Sequence, residues 1–208
     1  MTKDMHENGS APMEPGSTKH RCILLVSGST RNGSTNFAAL RAALDATGAD
    51  VTAVLFEGLA DLPAFNPDDD YEPLPPAVAA LREQIASADG ILFSVPEYMG
   101  ALPGSFKNLL DWTVGGPEMD GKRVAWLNVA GKGRGLKAQE SLRSVLGYLG
   151  AAVIEPTGRR VFVRRSAVGP DGTVHDEPVR AAIADAVRTF VDQLAVADAG
   201  ASAPQGRG

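Results

Sequence analysis

Strand-length runs that are apolar on both faces alternate along this chain with segments that carry a one-sided apolar stripe at helical spacing. The candidate strands are Cys22 to Ser27, Val51 to Phe56, Gly90 to Val95, Val124 to Ala130, and the pair Ala151 to Ile154 and Val161 to Val163. A strand apolar on both faces needs a helix layer on each side. The stripes supply those layers: Phe37, Leu40 and Leu44; Val78, Leu81 and Ile85; Leu142, Val145, Leu146 and Leu149; then Val179, Ile183, Val187, Phe190 and Leu194. With right-handed crossovers, this βαβ alternation predicts an α/β three-layer sandwich around a five-stranded parallel sheet.

The 208 residues suit one domain, expected at 21–196. Residues 1–20 and 197–208 lack apolar periodicity and are expected to be disordered tails. Hydrophobic residues make up 44%, enough for a full core. A net charge of -5 provides no basic field for nucleic acid or an anionic membrane, so neither is expected as a partner. Cys22 is the one cysteine, which rules out an intrachain disulfide and fits a reducing compartment. Without an apolar signal region or a run long enough to span a bilayer, a cytoplasmic protein is expected. The proline-rich connection from Glu57 to Pro76, which holds Asp68, Asp69, Asp70 and Glu72, predicts a surface excursion.

In a parallel α/β sheet, ligands bind at the carboxyl ends of the strands near the switch point. After strand one comes Ser27-Gly28-Ser29-Thr30-Arg31-Asn32-Gly33-Ser34-Thr35-Asn36, rich in hydroxyls, with a fixed cation and a helix start. Those donors suit a phosphate monoester, although Ser34 or Asn36 as a simple helix cap is the plainer reading. After strand three, Pro96-Glu97-Tyr98-Met99-Gly100 offers polarisable surface to a flat aromatic ligand, and Pro103 suits a first helical residue. After strand four, Gly131-Lys132-Gly133-Arg134-Gly135 allows close backbone approach and carries two cations. The three loops meet in one cleft if the sheet order is 2-1-3-4-5.

Neither G-x-x-x-x-G-K-[ST] nor G-x-G-x-x-G is present, which argues against a P-loop and a dinucleotide fingerprint. Cys22 lies at the start of strand one, far from the anion loop, and is expected in the core rather than as a nucleophile. His6 and His20 fall in the expected tail and His175 near a Pro/Gly/Asp-rich turn, so no catalytic imidazole is expected. No cluster has metal-ligand spacing, and Asp68 to Asp70 reads as a solvated face.

At these loops the sequence resembles the NADPH-dependent FMN reductase family, flavodoxin-like enzymes that include quinone, azo-dye and chromate reductases. Its pattern G-S-x-R-x-x-S-x-N is met by Gly28, Ser29, Arg31, Ser34 and Asn36; P-E-Y-N-x-x-x-P-G-x-x-K-N is met from Pro96 to Asn108 except at Met99, where the family usually has Asn. The similarity spans about Arg21 to Val196. The resemblance implies a flavodoxin-like sheet in the order 2-1-3-4-5, FMN as cofactor and NADPH or NADH as co-substrate. It places Ser29, Arg31, Ser34, Thr35 and Asn36 around the FMN phosphate and ribityl end. Pro96, Glu97, Tyr98 and Met99 would line the isoalloxazine, and Gly131, Gly133, Arg134 and Gly135 its other edge, with no protein nucleophile required.

The expected activity is two-electron, ping-pong transfer from NAD(P)H to a quinone or similar small electrophile. A flavodoxin-type one-electron carrier and a flavin-binding regulatory protein are the alternatives. Phe106, Leu109, Leu110 and Trp112 cover more of their helix than one sheet face would bury, which, with the resemblance, predicts a homodimer or homotetramer.

Overall fold

The computed structural model describes residues 20–154 and 159–201. Its strands are β1 (Arg21–Ser27), β2 (Val51–Phe56), β3 (Gly90–Ser94), β4 (Arg123–Asn128), β5 (Ala152–Val153) and β6 (Arg159–Arg160). The α-helices are α1 (Thr35–Asp45), α2 (Pro76–Ser87), α3 (Gly104–Asp111), α4 (Leu136–Tyr148) and α5 (Glu177–Ala201). All strand pairings are parallel, in the order β2-β1-β3-β4-β5. The fifth position is shared. β5 pairs with the start of β4 at Arg123 and Val124, while β6 pairs with its end at Leu127 and Asn128. Val161 and Val163 continue that line, their amides donating to the carbonyls of Asn128 and Val129.

The two-sided strands follow from side chains alternating across the pleat. Leu24, Val26, Ile91 and Phe93 pack in the core beneath α2, α3 and α4; Ile23, Leu25 and Leu92 pack in the core beneath α1 and α5. On α1 the buried set is Ala38, Ala39, Leu40 and Ala43, so small residues bring the helix close to the sheet and Phe37 is only half-buried. α5 runs to Ala201, five residues past the expected domain end, through the alanine-rich stretch that begins at Ala197. Of the expected tails, 1–20 and 197–208, residues 1–19 and 202–208 lie outside the described residues, as do 155–158.

Four expectations need correction. The connection from Glu57 to Pro76 is a packed strap: Leu59 and Leu62 are buried, and the Phe65 ring meets the Trp112 ring edge-on at 5.1 Å. The Asn108 amide clamps it, donating to the Pro63 carbonyl at 2.8 Å and accepting from the Phe65 N–H at 2.7 Å. Asp70 is not part of a solvated face; its side chain is 8% exposed and pairs with Arg82, whose Nε donates to the Trp112 carbonyl. Phe106, Leu109, Leu110 and Trp112 are all buried within the one chain, because the strap covers the face the sheet leaves open. These four side chains are accounted for within one chain and do not themselves argue for a partner. Cys22 is half-buried, not fully buried, at the amino end of the sheet.

Candidate functional site

The first loop is built by close strand approach and short side chain to backbone bonds. A Cβ on Gly28 would sit 2.7 Å from Val95 Cγ1, so glycine lets the ends of β1 and β3 come together. Ser29 is buried; its N–H donates to Ser27 Oγ and its Oγ accepts from the Arg31 N–H at 3.3 Å. Ser34 is the N-cap of α1, accepting from the Asn36 N–H at 3.2 Å. The plain capping role is therefore real for Ser34. Both hydroxyls keep a proton to donate while accepting these bonds. Asn36 is buried and its Oδ1 accepts from Ser94 Oγ at 3.0 Å, tying α1 to β3. Arg31 and Thr30 are exposed.

In the second loop Pro96 is half-buried. The Glu97 carboxylate reaches the amino end of α4, where Oε2 accepts from the N–H groups of Lys137 at 2.9 Å and Ala138 at 3.4 Å. A two-residue hairpin follows: Tyr98 and Ala101 exchange both backbone hydrogen bonds, with Met99 (φ 50) and Gly100 (φ 74) at the turn. The third loop is shaped by Asn128, whose Oδ1 accepts from the Ala130 N–H and whose Nδ2 donates to the Arg134 carbonyl. Gly135 has φ 80, and a Cβ there would lie 2.7 Å from Asn128 Oδ1, so the loop closes only around glycine.

The three loops do converge. A cavity of about 440 Å³ is walled by Thr35 and Asn36 from the first, Pro96 and Glu97 from the second, and Arg134 and Gly135 from the third. Its size is that of a small-ligand site. Ser29, Arg31 and Ser34 face a second cavity, of about 490 Å³, on the β2 side of the first loop, with Arg41, Glu57 and Asp171 on its other walls. The expected donors are thus divided by the loop they share. Tyr98, Met99, Gly131 and Gly133 line neither cavity, standing instead on the loops at the rim. Lys132 is exposed and also outside both.

At the rim of the larger cavity, the hydroxyl and N–H of Thr173, then His175, hold the Asp171 carboxyl well below the usual carboxylate range. Three residues shape the site without having been signalled by the loop motifs. Ser94 and Asn128 are polar residues at the ends of otherwise apolar strands, which is a usable signal. Phe162 is half-exposed between buried Val161 and Val163, with its ring 3.6 Å from where a Gly131 Cβ would stand. Arg164 lies over that ring at 5.7 Å. Among the described residues no group of His, Cys, Asp and Glu is arranged to hold a metal ion, and no helix is long and apolar enough to cross a membrane.

These residues fit FMN: a hydroxyl-rich helix start with a nearby guanidinium at one end, and a cavity of matching scale, closed by Gly135, beside it. The family model for NADPH-dependent FMN reductases matches residues 22–158. A NAD(P)H-dependent FMN reductase of Pseudomonas aeruginosa is 34% identical over 161 residues, covering 76% of this chain and 86% of that protein. A quinone reductase of Escherichia coli is 33% identical over 139 residues, covering 64% and 72%. Among solved structures, the flavoenzyme NAD(P)H:(acceptor) oxidoreductase FerB of Paracoccus denitrificans superposes with a TM-score of 0.72 at 26% identity, covering 84% of this chain and 97% of that one.

Proposed function

The chain belongs to the NADPH-dependent FMN reductase family, an oxidoreductase family that uses FMN and NAD(P)H, and on that premise we propose that it is a quinone-type reductase working by a ping-pong scheme. In the net reaction NAD(P)H, a proton and a quinone give NAD(P)⁺ and a hydroquinone. Bound FMN would supply the two-electron chemistry that links the nicotinamide to the quinone. Arg31, Ser29 and Ser34, which share one cavity, would hold the phosphate, the guanidinium by a charge-assisted bond and the hydroxyls by donation from the start of α1. Pro96 and Glu97 would border one side of the ring and Arg134 and Gly135 the other, where the Arg134 cation would favour the negative charge that reduction brings.

The observation that carries this reading is the convergence of all three strand-end loops on one cavity of about 440 Å³. A single cavity shared by the three loops suits successive occupancy by donor and acceptor. Steady-state oxidation of NADPH and NADH against several quinones tests it. Parallel double-reciprocal plots, with FMN recovered on extraction, are expected. Intersecting plots overturn the ping-pong order, and no NAD(P)H oxidation with any acceptor overturns the enzyme assignment in favour of a carrier or regulatory protein.

A further inference from the structure

Among the described residues Met99 is the one non-glycine with a positive φ, at 50°. With Gly100 at 74° and reciprocal Tyr98–Ala101 bonds of 3.1 and 3.0 Å, it occupies the first central position of a two-residue hairpin with both central angles positive. That turn favours Asn-Gly, because asparagine tolerates the left-handed region and glycine is indifferent to it. The family's usual Asn is therefore the conformationally comfortable residue. Methionine has no such tolerance, and here it gains nothing from packing: its relative exposure is 103%.

The base of the hairpin is fixed. Glu97 is bonded to the start of α4, and Leu102 is buried just before α3 begins. A flexible, polarisable thioether thus stands at the tip of a rigid stalk, two residues beyond a wall of the three-loop cavity. Strained backbone of this kind gathers at ligand clamps. Tyr98, Leu136 and Phe162 are also exposed apolar groups carried by the elements around that cavity.

The geometry points to Met99 as a specificity residue that contacts the electron acceptor, selecting planar aromatic electrophiles through a sulfur-to-ring contact. This rests on the reductase reading above and adds the acceptor class and the residue that reads it.

The test uses FMN-loaded protein with Met99→Asn and Met99→Leu, and menadione as probe. Met99→Asn is expected to raise the thermal midpoint, since it suits the turn, and to weaken menadione binding to the oxidised holoprotein about two- to tenfold. FMN affinity is expected to stay within about twofold, and Met99→Leu, which keeps the apolar bulk, should recover part of the menadione affinity. A higher midpoint with unchanged menadione binding makes Met99 a strained turn residue and overturns the proposal. So does equal weakening of FMN and menadione, which makes it a flavin contact. An unmodified protein that takes up no FMN overturns the reductase reading and this proposal together, a result separate from either of those.

Discussion

Glu97 caps a helix far along the chain: its Oε2 accepts the backbone N–H of Lys137, forty residues later, at 2.9 Å. The Lys137 ammonium turns away to Glu140, so the bond is to the helix end and not to the lysine charge. α4 has no acidic residue in its first turn, and Gly135 before it has no side chain to cap with. Glu97 therefore supplies the negative charge that the positive end of the helix dipole favours, and locks the second loop to the third.

Glu97→Gln keeps an acceptor and removes the charge, with an expected loss of about 0.5–1 kcal/mol. Glu97→Ala removes both and should cost about 1–2 kcal/mol, or roughly 2–8 °C in thermal midpoint. Because the loops wall one cavity, FMN affinity should fall with the alanine variant more than with glutamine. Thermal unfolding and FMN titration of the two variants check this ranking.

Arg31→Ala should weaken FMN binding by roughly 1.5–3 kcal/mol, about tenfold to more than a hundredfold in dissociation constant. Arg31 is exposed, so its charge is partly screened and the lower end is expected. Riboflavin, which lacks the phosphate, should bind the variant and the unmodified protein alike. Equal losses for FMN and riboflavin would assign Arg31 to folding.

Asp70→Ala strands the Arg82 guanidinium in a nearly closed site between the strap and α2. Breaking a buried ion pair on one side costs about 3–5 kcal/mol. The Arg82 bond to the Trp112 carbonyl also holds the charge in place, so it cannot swing out without a second loss. Denaturant unfolding should show a lower midpoint with little change in FMN binding, since the pair lies away from the three loops.

The strands and most helix stripes were legible because alternation across a pleat and the 3.6-residue period write burial directly into residue order. The site loops were legible too, since hydroxyls, glycines and a helix start at a strand's carboxyl end carry their chemistry in the residue types. The strap was not. Asp70 looks like any solvated acid in an acidic, proline-rich run, and only the fold brings Arg82 beside it. Asn108 sits in a family signature yet serves the strap, while Asn128, in no signature, shapes the glycine turn. Side chains that bond backbone across a loop leave no periodic trace. Trp112 misled for the same reason: its cover comes from Phe65, nearly fifty residues earlier.

At the far, amino end of the sheet, burial pushes the Cys22 thiol above its ordinary value; Asp89 adds to this and Lys122 opposes it. The folded state then holds the thiol proton more tightly than the unfolded state. Its contribution to stability is complete below the unfolded thiol's range and is lost as pH rises through the raised folded value. Stability should therefore decline at alkaline pH, and Cys22→Ala should flatten that limb. Alkylation by iodoacetamide should be slower than for a free thiol near pH 8 and accelerate at higher pH. A rate equal to that of a free thiol near pH 8 would contradict the raised value.

Arg134 and Lys132 share a loop but not a position, which gives a discriminating test of the charge that assists reduction. Both side chains are exposed, but Arg134 walls the three-loop cavity whereas Lys132 lies outside it. A cation beside a low-dielectric site stabilises the negative charge gained on reduction, while one in solvent is screened by water and salt. Arg134→Ala should lower the two-electron midpoint potential of the bound flavin by roughly 20–40 mV, equivalent to about 1–2 kcal/mol, and slow hydride uptake from NAD(P)H. Lys132→Ala should move the potential by much less, and neither substitution should weaken FMN binding as much as Arg31→Ala. Potentiometric titration of both variants settles the matter: equal shifts, or a larger one for lysine, would assign the electrostatic role to the loop as a whole and not to Arg134.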